Sequence, residues 1–200
     1  MEKYYLLSWK EGKDPLASAF APKGSRADHE LIKELSGINE LPFELNLVKL
    51  DVGKNGLVES SELTGVKEIW KDYQPNSLAW PLMSKKLKEV IDSNLTGKEG
   101  IEWINAIING NGEQKKYYIP RFKNMLDVLD EDKTMFVQGT NHIIRPVFSL
   151  SKIKELHLFS KPSSHDLWKI TSGIYISEAL KKAIQKAKIT GLDFEEILVS

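Results

Sequence analysis

The sequence predicts an α+β fold with a mainly antiparallel sheet and about three helices. Short apolar or alternating segments outnumber the helical ones, and Asn, Gly, Asp, Ser and Pro separate them at spacings typical of hairpins. The helical segments do not alternate with strands, as a parallel sheet would require. A chain of 200 residues suits a single domain over residues 1–200, with a possible division into 1–76 and 77–200.

Periodicity predicts the elements of the first half. Strands are expected where aromatic or alternating apolar residues occur. One helix is expected, with Ser25 or Asp28 as its N-cap and a glycine after its last turn. Its apolar face consists of Leu31, Ile32 and Leu35. The predicted elements are a strand at 4–9, a helix at 25–37, a strand at 43–50, a turn-rich stretch at 51–65 and a further strand at 66–73.

The second half is predicted to hold two helices among many short strands. Ser84 and Ser177 each precede an amphipathic segment with lysines on its polar side, which is typical of a capped surface helix. The strands are predicted at 101–108, 115–121, 134–138, 143–149, 153–159, 166–170 and 192–199.

A short segment occurs twice, 93 residues apart: PLMSKKLKEVI at 81–91 and IYISEALKKAI at 174–184. Each copy combines a serine N-cap, an inward leucine, a glycine that can end the helix and an aromatic residue in the strand that follows. Chance is the alternative, because such helices are common. We interpret the repeat as a structural device without catalytic work, with both aromatic side chains as buried core anchors. The paired positions are Ser84 and Ser177, Leu87 and Leu180, Gly97 or Gly100 and Gly191, and Trp103 and Phe194.

Composition argues against several classes of protein. Lys and Arg equal Asp and Glu at 28 each, so no global field attracts nucleic acid or an anionic membrane. The absence of cysteine excludes disulfides, thiolate metal sites and cysteine nucleophiles. Neither a secretory signal nor a run of 18 apolar residues occurs, so a soluble, cytoplasmic protein is expected.

Residues 51–62, DVGKNGLVESSE, match most of the twelve-residue EF-hand calcium loop, with Asp51 first and Glu62 last. Gly53 supplies no side-chain oxygen at the third position, where a ligand is expected. The preceding segment alternates like a strand, whereas an EF-hand needs a helix on each side. We therefore favour a polar turn over a calcium site.

Residues 126–134, LDVLDEDKT, place Asp127, Asp130, Glu131 and Asp132 close together. Such a cluster can hold a divalent ion, face a basic partner or form a solvated turn. Asp130, Glu131 and Asp132 are the candidate partner-binding residues. The four histidines show no metal-ligand spacing, and no nucleophile motif, phosphate loop or dinucleotide fingerprint occurs. No catalytic residue, metal or cofactor is therefore predicted.

Four segments resemble the immunity proteins that accompany bacterial polymorphic toxins, and the closest groups are immunity families eleven and forty-three. The segments are WPLMSKKLKEVI, LDVLDEDKT, IKELHLFS and the stretch from WKITSG to DFEEI. The resemblance covers about residues 78–198 and leaves 10–75 unplaced. Ser160 and Lys161 stand where family members often carry an arginine. The positions that fit the family pattern are Pro81, Leu82, Ser84, Leu126 and Asp127 (or Leu129 and Asp130), Leu158, Phe159, Ser177, Leu180, Gly191 and Phe194.

The resemblance implies neutralisation by binding. Such a protein forms a stoichiometric complex with a cognate toxin domain and does no chemistry on it. Two alternatives remain open at this point. One is a regulatory or scaffold protein with another partner, and the other is a metal-dependent enzyme whose site is assembled from scattered residues.

Overall fold

Three sheets and four short helices form the part of the chain that the computed structural model describes, which is residues 2–10, 12, 14–53, 56–164 and 166–200. The helices are α1 (Asp28–Glu34), α2 (Lys85–Asp92), α3 (Leu150–Ile153) and α4 (Glu178–Lys186). The strands are β1 (Tyr4–Trp9), β2 (Leu16–Phe20), β3 (Leu45–Gly53), β4 (Gly56–Ser60), β5 (Met83–Ser84), β6 (Ile101–Gly110), β7 (Glu113–Phe122), β8 (Met135–Phe136), β9 (Ile143–Arg145), β10 (Leu158–Ser160), β11 (Ile174–Ser177) and β12 (Leu192–Glu196).

The strands pair mainly in antiparallel fashion. One sheet has the order β10-β11-β1-β12, and every pair in it is antiparallel. The second has the order β2-β3-β6-β7-β5 with β4 on β3, and its β3–β6 pair is parallel. Strands β8 and β9 form a separate ribbon. The predicted α+β class is therefore confirmed, with one mixed sheet and with four helices instead of three.

The longest element is the β6–β7 hairpin, which pairs residue by residue from Ile101 opposite Phe122 to Gly110 opposite Glu113. Asn111 and Gly112 connect the strands with φ angles of 53° and 73°. Two positive φ angles match the twist of a tight hairpin, and Asn-Gly is the preferred pair there. The two strands of this hairpin lie in the middle of the second sheet, between β3 and β5.

Three apolar clusters form the core among the described residues. The first lies between α1 and the second sheet, and the second lies beneath α2 and α4. The third is aromatic, with the Phe148 ring centroid 4.5 Å from that of Tyr175 and 5.2 Å from that of Phe159. Helix residues whose spacing predicts an inward position lie in the first two clusters, with Leu31, Ile32 and Leu35 in the first and Leu87, Ile91, Leu180 and Ile184 in the second. Phe159, a position of the family pattern, lies in the third.

Several predictions about the first half are wrong. Residues 51–65 do not form only turns, because β3 runs to Gly53 and pairs with β4, with Asp51 opposite Val58. The calcium-loop match includes the paired strands β3 and β4, and its residues 54 and 55 lie outside the described residues. Residues 66–73 are irregular rather than a strand, while β2 has no predicted counterpart. The N-cap of α1 is Ala27, not Ser25 or Asp28.

The second half contains two further differences. The predicted strands 143–149 and 153–159 are much shorter in the structure, as β9 and β10, and α3 lies between them. Residues 166–169 form a turn where a strand was predicted. Residues 143–159 contribute to the third core cluster, whereas Ile170 lies in the first and Trp168 packs against the second. Burial in a bend can therefore produce an apolar run without a strand.

Ser84 and Ser177 are the N-caps of α2 and α4. Each hydroxyl oxygen accepts the backbone N–H three residues on, from Leu87 and from Leu180, at 3.2 Å in both cases. Neither helix ends at the predicted glycine, because the C-caps are Ser93 and Ala187. The two segments thus share a cap geometry, and their origin as an internal repeat stays a prediction.

Gly191 has a different role from the predicted one. Its φ is +84°, and a Cβ at this position would stand 2.4 Å from the backbone oxygen of Tyr73. A side chain cannot occupy that space, so the glycine allows the irregular segment 66–73 to approach the strand that follows α4. Gly97 and Gly100 also have positive φ, at 90° and 60°.

Trp103 and Phe194 are partly buried, not the fully buried anchors that were predicted. Both pack against the edge of the second core cluster. The ammonium of Lys88 lies 5.2 Å from the Trp103 ring centroid, and that of Lys181 lies 5.3 Å from the Phe194 centroid. The two rings therefore contact the lysine stems of α2 and α4 as well as the core.

Candidate partner-binding surfaces

The acidic turn contains side chains with different roles. The Asp130 carboxylate accepts the Ser200 hydroxyl at 2.6 Å and the Lys133 amide at 3.3 Å, and only 19% of the side chain is exposed. The bond from Ser200, followed by the contacts with Lys133, lowers the pKa of Asp130 in spite of its desolvation. Asp130 therefore holds the turn and Ser200 in place.

The neighbouring acids reach solvent. Asp127 is exposed and pairs with Lys152 at 2.7 Å, a contact that raises the pKa of the lysine. Glu131 and Asp132 are exposed and form no ion pair within the described part of the chain. Their charges are thus available to a partner, whereas those of Asp127 and Asp130 are already matched.

Exposed apolar side chains follow the acidic turn directly. In the β8–β9 ribbon, Phe136 and Ile143 pack inward against the third core cluster. Met135, Val137 and Ile144 are 53%, 43% and 59% exposed. Exposed apolar side chains that lie close together often mark a protein interface. We call Glu131, Asp132, Met135, Val137 and Ile144 together the hairpin surface.

A cleft of about 500 Å³ lies where the first turn of α2 meets β7 and residues 70–72. Its walls contain one acidic residue, Asp72, among a group of lysines. The sequence alone does not reveal this site, because its lysines come from three separate segments and no segment alone is unusually basic. We call this site the basic cleft, and its lysines are Lys71, Lys85, Lys86, Lys115 and Lys116.

A serine–histidine pair in the structure has a structural role. His157 Nδ1 lies 2.7 Å from the Ser177 hydroxyl, but Ser177 is fully buried and already caps α4. A nucleophile must reach its substrate, and this hydroxyl does not. Within the described residues, no group of three or more His, Asp or Glu side chains is arranged to hold a metal ion.

An acid-rimmed apolar ribbon and a basic cleft are features of a protein that acts by binding another macromolecule. The chain matches the Imm11 immunity protein family over residues 56–199, more than half of its length, and it belongs to that family. Family membership implies a cognate toxin as partner, and such proteins are typically non-enzymatic.

The family match confirms the resemblance inferred from the sequence and extends it. The match begins at residue 56 rather than about 78, so it also includes β4 and the irregular segment that forms one wall of the basic cleft. A comparison with curated proteins finds no match. No helix within the described ranges is long and apolar enough to cross a membrane.

Proposed function

We propose that this protein neutralises one cognate toxin domain by forming a tight one-to-one complex with it in the cytoplasm. The observation that carries the proposal is membership of the Imm11 family. The chain acts as a single folding unit in this proposal, since β1 pairs with both β11 and β12 and so joins the two predicted halves.

We further propose the hairpin surface as a contact with the toxin. Its apolar side chains lie on the outer face of a ribbon whose inner face is anchored in the core, so they can be buried by a partner without unfolding. Glu131 and Asp132 then supply charges at the rim, which favour association with a basic surface. Asp130 contributes by fixing the turn that presents them.

The experiment that tests the function is co-expression with the toxin domain encoded beside this chain. Neutralisation by binding predicts rescue at a one-to-one protein ratio, a complex that co-elutes in size-exclusion chromatography, and a toxin of unchanged mass. Rescue at a much lower ratio, or a covalently modified toxin, would indicate an enzyme instead. Absence of any complex would refute the proposal.

A charge-reversal pair tests the contact surface separately. Glu131→Lys with Asp132→Lys should weaken toxin binding by about tenfold or more, as measured by titration calorimetry. The matched control is Glu30→Lys with Glu195→Lys, which changes the charge equally at exposed positions on α1 and β12. Equal affinities for the two variants would exclude the hairpin surface while leaving neutralisation intact.

A further inference from the structure

We infer that the basic cleft binds a cluster of carboxylates on the toxin, as a second contact with that partner. The inference rests on the proposed function and adds the chemistry that this part of the partner must have. It starts from the charge of the cleft walls, where five lysines face one aspartate, a surplus of four positive charges in a chain whose formal net charge is zero.

The single acid in the cleft is occupied by the fold. The Asp72 carboxylate accepts the Ser84 hydroxyl at 2.6 Å and the Thr190 amide at 3.0 Å, and its side chain is only 16% exposed. Lys86 lies 3.9 Å from it, at the limit of an ion pair. Asp72 therefore organises the floor of the cleft. Lys115 pairs with Glu113 at its rim, at 3.1 Å, so the inference depends mainly on the other lysines.

Two of the cleft lysines are open to an incoming anion, and a third has only a weak ion pair. Lys71 and Lys116 make no ion pair within the described part of the chain. Lys85 lies 3.7 Å from Glu89, and both side chains are more than 60% exposed, so that pair contributes little and is easily replaced. A carboxylate in the cleft would gain attraction without breaking a buried contact.

The first turn of α2 also favours a bound anion. A helix N-terminus carries a partial positive charge and favours acidic residues, and α4 has Glu178 in its first turn. The first turn of α2 contains no acid and instead begins with Lys85 and Lys86. Two cations at the positive end of a helix are unfavourable in the free protein, and a bound anion would relieve this repulsion.

The aromatic groups favour carboxylates over nucleic acid as the ligand. Single-stranded nucleic acid is usually held by bases stacked on an open aromatic face. In the cleft, one face of Trp70 is stacked with Tyr117 at a centroid distance of 6.3 Å, and Lys115 lies over the ring at 4.6 Å. A base that stacked on Trp70 would therefore compete with Tyr117 or Lys115 for the ring, and the partner implied by the family is a protein.

Zero-length cross-linking of the complex tests the contact directly. A water-soluble carbodiimide joins a lysine amine to a carboxylate in contact with it, and mass spectrometry of the digest identifies both residues. We expect links from Lys71 or Lys116 to Asp or Glu of the toxin. A complex whose cleft lysines form no link to the toxin, while other lysines do, would overturn the inference.

A reversal of charge measures how much the cleft contributes to the affinity for the toxin. Lys71→Glu with Lys116→Glu should weaken toxin binding at least about tenfold at 0.15 M salt and flatten the dependence of affinity on salt. The control, Lys23→Glu with Lys154→Glu, makes the same charge change at exposed positions outside the cleft and should stay within about threefold. Circular dichroism melts establish that both variants are folded.

The outcomes separate the two proposals. If the wild type and both variants bind the toxin equally, the cleft inference is wrong and neutralisation by binding stands. If the wild type forms no complex with the toxin, both proposals fail. Fluorescence anisotropy with a labelled single-stranded oligonucleotide tests nucleic acid as the ligand. If the wild type and the control variant bind the oligonucleotide and the cleft variant does not, the site belongs to nucleic acid and the inference is overturned.

Discussion

The hydroxyl of Ser84 donates a 2.6 Å hydrogen bond to the carboxylate of Asp72 while it accepts the Leu87 amide at 3.2 Å. The same carboxylate also accepts the Thr190 amide at 3.0 Å. One acid therefore joins the irregular segment before β5, the start of α2 and the turn before β12. Thr190 is more than 100 residues from the other two parts in sequence, and all three parts line the basic cleft.

Replacement of Asp72 by Asn should lower the free energy of unfolding by about 1–2 kcal/mol, because the amide has a single oxygen to serve two donors. Urea denaturation followed by tryptophan fluorescence measures the loss. The control is Asp14→Asn, which breaks an ion pair with Lys67 whose side chains are both more than two-thirds exposed. That change should cost less than about 0.5 kcal/mol. Equal effects would show that Asp72 has no special role in the fold.

Truncation of Trp103 or Phe194 to Ala should each cost about 2 kcal/mol, since both rings are only partly buried. The fully buried Phe159 provides the comparison, and Phe159→Ala should cost about 3–5 kcal/mol. Denaturant midpoints of the three variants give the order. A loss below about 1 kcal/mol at both Trp103 and Phe194 would mean that these rings do not contribute to the core.

Much of the fold could be predicted from local pattern. Strands β1, β3, β6 and β7 alternate or contain aromatic residues, and the serines before α2 and α4 mark helix starts. Strand β2, LASAF, was missed because its small residues give little β signal, although Ala17 and Ala19 are fully buried. The segment 66–73 has the composition of a strand, but its backbone bends so that it can pass close to Gly191.

The candidate surfaces were predictable only in part. The acidic turn is visible because its charges are consecutive, but the sequence does not show that Asp130 is bonded to Ser200, 70 residues away. The basic cleft depends on tertiary structure, since residues 71, 85–86 and 115–116 meet only after β5 pairs with β7. Local charge patterns cannot reveal such a site.

Stability should fall in acid partly through Glu99. This carboxylate is 1% exposed, which by itself raises its pKa, but hydrogen bonds from the His157 amide and from Thr96 outweigh burial and lower the pKa overall. The unfolded chain, with a glutamate pKa of about 4.3, then takes up the proton first. The stability that Glu99 contributes is complete above that value and is lost as the pH falls through the lower folded pKa.

Glu99→Gln tests whether Glu99 contributes to this loss of stability at low pH. The variant should lose about 2–3 kcal/mol at pH 7, because an amide cannot accept all of these hydrogen bonds. Between about pH 5 and pH 3, the free energy of unfolding of the variant should then change less than that of the wild type, because the variant lacks the carboxylate that titrates in this range. Glu30→Gln, at an exposed position, is the matched control. Parallel pH profiles for wild type and Glu99→Gln would contradict the assignment.

The aromatic cluster should make the fold sensitive to alkali. Burial raises the pKa of Tyr4 to about 12, and the Tyr4 hydroxyl donates to the Ile153 carbonyl at 3.0 Å. Burial likewise raises the pKa of Tyr175 to about 12. Because a tyrosine in the unfolded chain ionises near pH 10, the folded state binds more protons between about pH 10 and pH 12. Stability is therefore complete below about pH 10 and falls as the pH rises toward 12.

Tyr4→Phe separates the effect of the Tyr4 hydrogen bond on stability from the effect of ionisation of its hydroxyl. At pH 7 it should cost about 1 kcal/mol, for the hydrogen bond to Ile153. Above about pH 10 the variant should lose stability less steeply than the wild type, by up to about 1.4 kcal/mol per pH unit, since one ionisable group has been removed. Chemical denaturation at pH 8, 10 and 11 measures both effects, with Tyr118→Phe on β7 as the control. An unchanged alkaline slope in Tyr4→Phe would show that Tyr4 does not resist ionisation in the folded protein.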